Sequence, residues 1–134
     1  MKTLTCWLVL PIALGLVSLS VGAAVAETIE LSPDFAGLET TTGTSGGAID
    51  TGNCGYISNT PNHQLILSED FDYLRVAVTD AEGLTLLVRG SDSEFCAPRD
   101  PQQSGYWPKG TYEIFVGDRA RAGHPYTLSI STTP

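Results

Sequence analysis

YLRVAVTDAEGLTLLVRG, residues 73–90, decides how the chain is read. Leu74, Val76 and Val78 alternate with Arg75, Ala77 and Thr79, and Leu84, Leu86 and Val88 alternate with Thr85, Leu87 and Arg89. A two-residue period is that of a strand with one apolar and one wet face. Asp80-Ala81-Glu82-Gly83 between the runs is turn chemistry, with glycine where a positive φ carries no steric penalty. The expectation is a β-hairpin whose apolar face needs a second sheet.

Outward from this stretch the same period recurs. His63–Ser68 places Leu65 and Leu67 on one face; Thr111–Gly117 alternates Tyr112, Ile114 and Val116 with polar residues and Phe115; Pro125–Ser131 does so with Tyr126, Leu128 and Ile130. The polar residues 118–124 read as a hairpin loop between the last two runs. Thr28-Ile29-Glu30-Leu31-Ser32 reads as an edge strand stopped by Pro33, and Phe35 and Leu38 as loop residues dipping into the core. Thr40–Gly55, rich in glycine and threonine, reads as a long loop or as short irregular strands, and Ser91–Gly110, with Pro98, Pro101 and Pro108, as a loop. No sustained 3.6-residue period is present after the first 26 residues, and short strands at turn-marked spacing predict an all-β antiparallel sandwich.

Residues 1–26 stand apart. Lys2 precedes a nearly continuous apolar run, Leu8–Val21, and Ala24-Val25-Ala26 has the small-x-small pattern that signal peptidase cuts. The expectation is a signal peptide, 1–26, and one domain, 27–134, of ordinary single-domain size. Without Lys2, six basic residues face fifteen acidic ones, a charge of about −9. Such a surface repels phosphate backbones and anionic lipid, which argues against nucleic-acid and membrane-surface binding. Cys54 and Cys96 remain, and an even pair in an oxidising compartment forms a disulfide. Closing a loop of roughly 40 residues contributes about 4 kcal/mol in the chain-entropy treatment. The competing reading, a catalytic thiol, needs a neighbouring base such as His63 or His124.

Several segments taken together carry a resemblance: Gly43-Thr44-Ser45-Gly46-Gly47, Cys54-Gly55-Tyr56-Ile57, Thr60-Pro61-Asn62-His63, Leu86-Leu87-Val88-Arg89-Gly90, Cys96, and Gly110-Thr111-Tyr112-Glu113-Ile114-Phe115-Val116-Gly117. In this order the chain resembles the bacterial prepeptidase C-terminal-type domains, over nearly all of residues 27–134. The resemblance implies a jelly-roll β-sandwich, a stand-alone secreted form, no catalysis, and a role in secretion or in substrate and surface contact. Related sequences carry adjacent acids after the second cysteine that suit a hard cation. This chain has Cys96-Ala97-Pro98-Arg99-Asp100, an arginine where negative charge is wanted. Calcium takes six to eight oxygen ligands. Asp50, Asp92, Asp100 and Asp118 are the remaining calcium candidates, against a bland reading as solvated surface, and no cofactor is expected.

Gly43-Thr44-Ser45-Gly46-Gly47 is also similar to the nucleophile segment of trypsin-type serine proteases. There the histidine and aspartate precede the serine, whereas His63 and His124 follow Ser45. Tyr106 and Trp107 are candidate binding residues: neighbouring loop aromatics either form a platform for sugars or peptides or cover the open end of the sandwich. The expected function is a non-enzymatic, secreted or periplasmic module contacting protein, polysaccharide or envelope surface. The alternative is a small secreted hydrolase or peptidase inhibitor acting through its loops.

Overall fold

The structure, a computed structural model, describes residues 26–80 and 82–134. The expected signal peptide thus lies outside the described residues except for Ala26. Among the described residues every regular element is a strand, and the eleven strands form two facing sheets. They are β1 Glu27–Leu31, β2 Leu38–Thr44, β3 Ile49–Asp50, β4 Tyr56–Ile57, β5 His63–Leu67, β6 Phe71–Thr79, β7 Leu84–Arg89, β8 Glu94–Ala97, β9 Gln102–Trp107, β10 Gly110–Asp118 and β11 Pro125–Ser131.

The larger sheet is built on β10. One edge of β10 pairs with β5 over Gly110–Ile114 and with β4 at Asp118, and the other pairs with β7 over Glu113–Asp118. β1 lies outside β5, β3 outside β4, and β8 outside β7. The smaller sheet runs β2-β11-β6-β9. All pairs are antiparallel except β1 with β5, which is parallel. Between the sheets the alternating residues meet: Leu65, Leu74, Val76, Leu84, Leu86, Ile114, Val116 and Leu128 are fully buried. This is the β-sandwich that the two-residue period predicts.

The hairpin expectation for residues 73–90 does not hold. β6 belongs to the smaller sheet and β7 to the larger, so the chain changes layer between Thr79 and Leu84. Both strands still bury their apolar faces, but against each other across the interior. The same correction applies to residues 118–124, which join β10 of one sheet to β11 of the other. Ser91–Gly110, read as a loop, contains β8 and β9, and Thr40–Gly55 contains most of β2 and all of β3. These are edge strands held by backbone ladders, and their polar side chains give no apolar period to read. Leu38, expected in the core, is 58% exposed on the edge strand β2.

Nor does β7 have the expected wet face. Thr85 and Leu87 are buried because residues 51–57 fold over the outside of the larger sheet and make a second small core of Cys54, Ile57, Leu87 and Phe115. The Cys54–Cys96 disulfide, with Cα atoms 5.9 Å apart, ties this flap to β8. Thr85 Oγ1 donates to Cys54 O at 2.7 Å. Gly117 is what permits so close an approach, since a Cβ there would sit 2.4 Å from Thr85 Oγ1 and 2.7 Å from Cys54 O. Arg89 closes the small core by lying 5.0 Å from the Phe115 ring centroid while pairing with Glu94.

Candidate functional site

Two polar clusters lie at the end of the sandwich where β10 passes into β11. The first joins the loop after β2 to residues 118–124. Ser45 is buried, its N–H donates to His124 O at 2.9 Å, and the His124 N–H donates to Ser45 Oγ at 3.0 Å. Ser45 Oγ in turn donates to Asp118 Oδ2 at 3.0 Å, and His124 Nδ1 donates to the same oxygen at 2.6 Å. The Ala120 N–H supplies a further bond to Asp118 Oδ1. Burial pushes the Asp118 carboxyl up, yet the bonds from His124, Ala120 and Ser45 outweigh it and hold the group below its ordinary range.

Three residue types of a hydrolytic triad thus meet here in the wrong wiring. A working nucleophile gives its proton to the imidazole, and the acid stands behind the imidazole. In this cluster the carboxylate stands between serine and histidine, so Ser45 faces an acceptor that cannot serve as the relay. Ser45 is also 4% exposed, which keeps its hydroxyl away from solvent. What the arrangement does is mechanical: it fixes residues 118–124 against residues 45–46.

Other bonds hold the same loop. The Arg119 N–H donates to Gly83 O and its Nη1 to Pro98 O, both at 2.9 Å, and the Arg121 guanidinium lies 4.9 Å from the Tyr56 ring centroid. The 118–124 loop is therefore tied to four neighbouring segments. A shallow cleft beside it is lined by Asp50, Gly52, Asn53, Gly55, Tyr56 and Arg119.

The second cluster is internal. His63 is 2% exposed; its Nδ1 donates to Glu27 Oε1 at 2.8 Å and its Nε2 accepts from the Tyr126 hydroxyl at 2.7 Å. Thr41 Oγ1 donates to the same Glu27 oxygen. Burial lowers the His63 pKa more than Glu27 raises it, and burial pushes the Tyr126 phenol up to about 12. One neutral tautomer satisfies both ring nitrogens. Gly43 makes room for the tyrosine, because a Cβ there would stand 2.4 Å from the hydroxyl. Sequence reasoning missed Glu27 and Tyr126, which are 36 and 63 residues from His63 and carry no local signal.

The other predicted residues are scattered. Tyr106 is 59% exposed, whereas its neighbour Trp107 is 2% exposed and packs edge-on against Tyr112 at 5.0 Å. The two do not form a joint platform. Successive residues of a strand point to opposite faces, and here one points out and the next in. Of the four calcium candidates, Asp50 lies in β3, Asp92 in the loop before β8, Asp100 in the loop before β9, and Asp118 is consumed by the cluster above. Among the described residues no three histidine, cysteine or acidic side chains gather as a metal site. Cys54 and Cys96 are joined to each other, which removes the catalytic-thiol reading.

Comparison with known proteins gives one strong likeness. Uncharacterized protein Synpcc7942_2126 of Synechococcus elongatus is 39% identical over 133 residues, covering 93% of this chain and 95% of its own. The chain matches no protein-family model. Among solved structures, Aeromonas hydrophila PliG, a periplasmic lysozyme inhibitor of g-type lysozyme, aligns with a TM-score of 0.45 and 14% identity, over 80% of this chain and 98% of that one. At that level of likeness neither fold nor role transfers.

Proposed function

The chain belongs to the family of the Synechococcus elongatus protein Synpcc7942_2126, and we propose that it is a non-catalytic exported module that acts by contacting a protein partner. The observation that carries this reading is the wiring of Ser45, Asp118 and His124, in which the polar groups that could do chemistry are spent on holding a surface loop in one conformation. A fixed loop gives up little freedom on binding, which is what a recognition surface needs. The disulfide supports an oxidising compartment, outside the cytoplasm. Protein is favoured over polysaccharide as the partner because burial of Trp107 removes the joint platform that Tyr106 and Trp107 would have formed. An inhibitor acting through its loops is the form of this reading that best suits a rigid, projecting 118–124 segment. The resemblance to prepeptidase C-terminal-type domains, with their role in contact, points the same way.

The test is a turnover screen of the oxidised chain against chromogenic ester, peptide and glycoside substrates, alongside a Ser45→Ala variant. The expected result is no turnover above the uncatalysed rate in either protein. Hydrolysis that disappears in Ser45→Ala while the variant remains folded would overturn the reading.

A further inference from the structure

The sandwich has two open sides, where an edge of one sheet lies beside an edge of the other, and the two are finished differently. On one side Thr41 Oγ1 of β2 donates to Glu27 Oε1 of β1 at 2.8 Å, and side chains bridge the layers. On the other, β8 ends the larger sheet and β9 the smaller, and among the described residues they pair only with β7 and β6. Between them runs an open groove of about 520 Å³, lined by Phe95, Ala97, Gln103 and Ser104, with residues 98–100 at one end. Phe95 stands opposite the core residue Val88 and so faces inward, yet it is 36% exposed. Gln103 stands opposite the fully buried Val76, and its Oε1 is shut off from solvent with no donor among the described residues. Charged side chains are a common guard of exposed strand edges, but β9, Gln102–Trp107, has none in a chain with fifteen acids and seven bases. No heavy atom beyond its chain neighbours comes within 4 Å of where a Gly105 Cβ would stand, so the backbone is open to approach at mid-strand.

Resting on the reading of the chain as a protein-contact module, we infer that the groove between β8 and β9 docks an extended segment of the protein partner, which adds as a strand to the free edge of β9. A polypeptide presents N–H and C=O groups at strand spacing, whereas sugar hydroxyls and phosphates carry no such ladder. Side chains on the inward face of the added strand enter the groove. One covers Phe95, and another gives an N–H or O–H to Gln103 Oε1, an acceptor already cut off from water. The groove is continuous with the 118–124 loop, because Arg119 Nη1 holds the carbonyl of Pro98, which lines the groove's end. One partner thus rests on the loop and lies along the strand. Arg99 and Asp100, of opposite sign, both line the groove, so the segment is chosen by shape and hydrogen bonding rather than by net charge.

The probe is a phage-displayed library of random linear peptides about twelve residues long, selected against the full disulfide-bonded chain, with the best binder resynthesised. The expected result is saturable binding that is lost when methyl groups are placed on alternate backbone nitrogens of the peptide and kept when they are placed on the intervening ones, since only every second N–H of an added strand faces its neighbour. Binding weakens at least about fivefold in Gln103→Leu and in Phe95→Lys, and is unchanged in Thr40→Ala on the β2 edge. Gln103→Leu melts no lower than the parent, because it removes a buried acceptor that has no donor, and this separates a lost contact from a lost fold. Failure to select a saturable binder, tolerance of methylation at every nitrogen, or full binding by Gln103→Leu overturns the inference. So does a parent chain that sediments as a dimer while Gln103→Leu sediments as a monomer, since a second copy would then occupy the edge. If selection fails while the turnover screen is silent, the β9 groove falls and the non-catalytic reading stands; turnover lost in Ser45→Ala removes the latter whatever the peptides do.

Discussion

The two histidines of this chain make the same bond and live in opposite surroundings. Each donates from Nδ1 to a carboxylate, His63 to Glu27 and His124 to Asp118. In the first pair the imidazole is buried, at 2%, and the acid is 51% exposed; in the second the imidazole is 53% exposed and the acid 2%. The buried member decides what the pair does. A buried imidazole with both nitrogens satisfied is a neutral structural link between β5, β1 and β11. A buried carboxylate with three donors is an ionised clasp that organises a surface loop. An ion pair seen only as a distance would make these two equivalent.

Truncating the buried members breaks the comparison most sharply. His63→Ala removes a fully enclosed ring and leaves the Tyr126 hydroxyl without its acceptor, for an expected loss of about 3 kcal/mol in urea unfolding. Asp118→Ala frees three donors but lets the loop relax toward solvent, for about 2 kcal/mol, with faster proteolytic nicking within 118–124. A third test uses pH. The folded His63 pKa lies below 6.5, so between that value and 6.5 the unfolded chain holds more protons, and melting temperature falls as pH is lowered through this window. His63→Gln flattens that limb. Asp118 is also depressed in the fold, so its contribution is present above pH 3.8 and is lost on further acidification, a second limb that Asp118→Asn flattens. The smallest effects belong to the exposed members: Glu27→Gln and His124→Gln are each expected to change stability by less than about 1 kcal/mol. If His124→Gln matched Asp118→Ala in its effect, the clasp would depend on the imidazole and the contrast would fail.

Much of this was legible in the residues and some of it was not. The inward positions of β5, β6, β7, β10 and β11 follow from their alternation, and the pairing of Cys54 with Cys96 follows from count and compartment. β8 and β9 were hidden because Glu94–Ala97 and Gln102–Trp107 are edge strands with little apolar demand. Leu87 and Thr85 gave the pattern of a wet face, and only the flap at 51–57 makes that face dry. At the site, Ser45 drew notice through its glycine-flanked motif, but which oxygen receives its proton depends on groups 73 and 79 residues away. Tyr106 and Trp107 are neighbours in sequence, but adjacent strand residues face opposite ways, so only Tyr106 reaches the surface.

By itself the sequence determined the alternating strands β5, β6, β7, β10 and β11, the apolar faces they turn to the interior, and which sulfur atoms have a partner. The tertiary structure alone decided which sheet each strand joins, and so whether β6 and β7 pair as a hairpin or face each other from different layers. It also decided which half of each histidine–carboxylate pair is shut away from water. The physical reason is that side-chain alternation specifies an inside and an outside, whereas strand pairing is made by backbone groups that are nearly the same at every residue. Partners are therefore selected by how the whole set of apolar faces can be enclosed at once, and the polar clusters take whatever positions that enclosure leaves them.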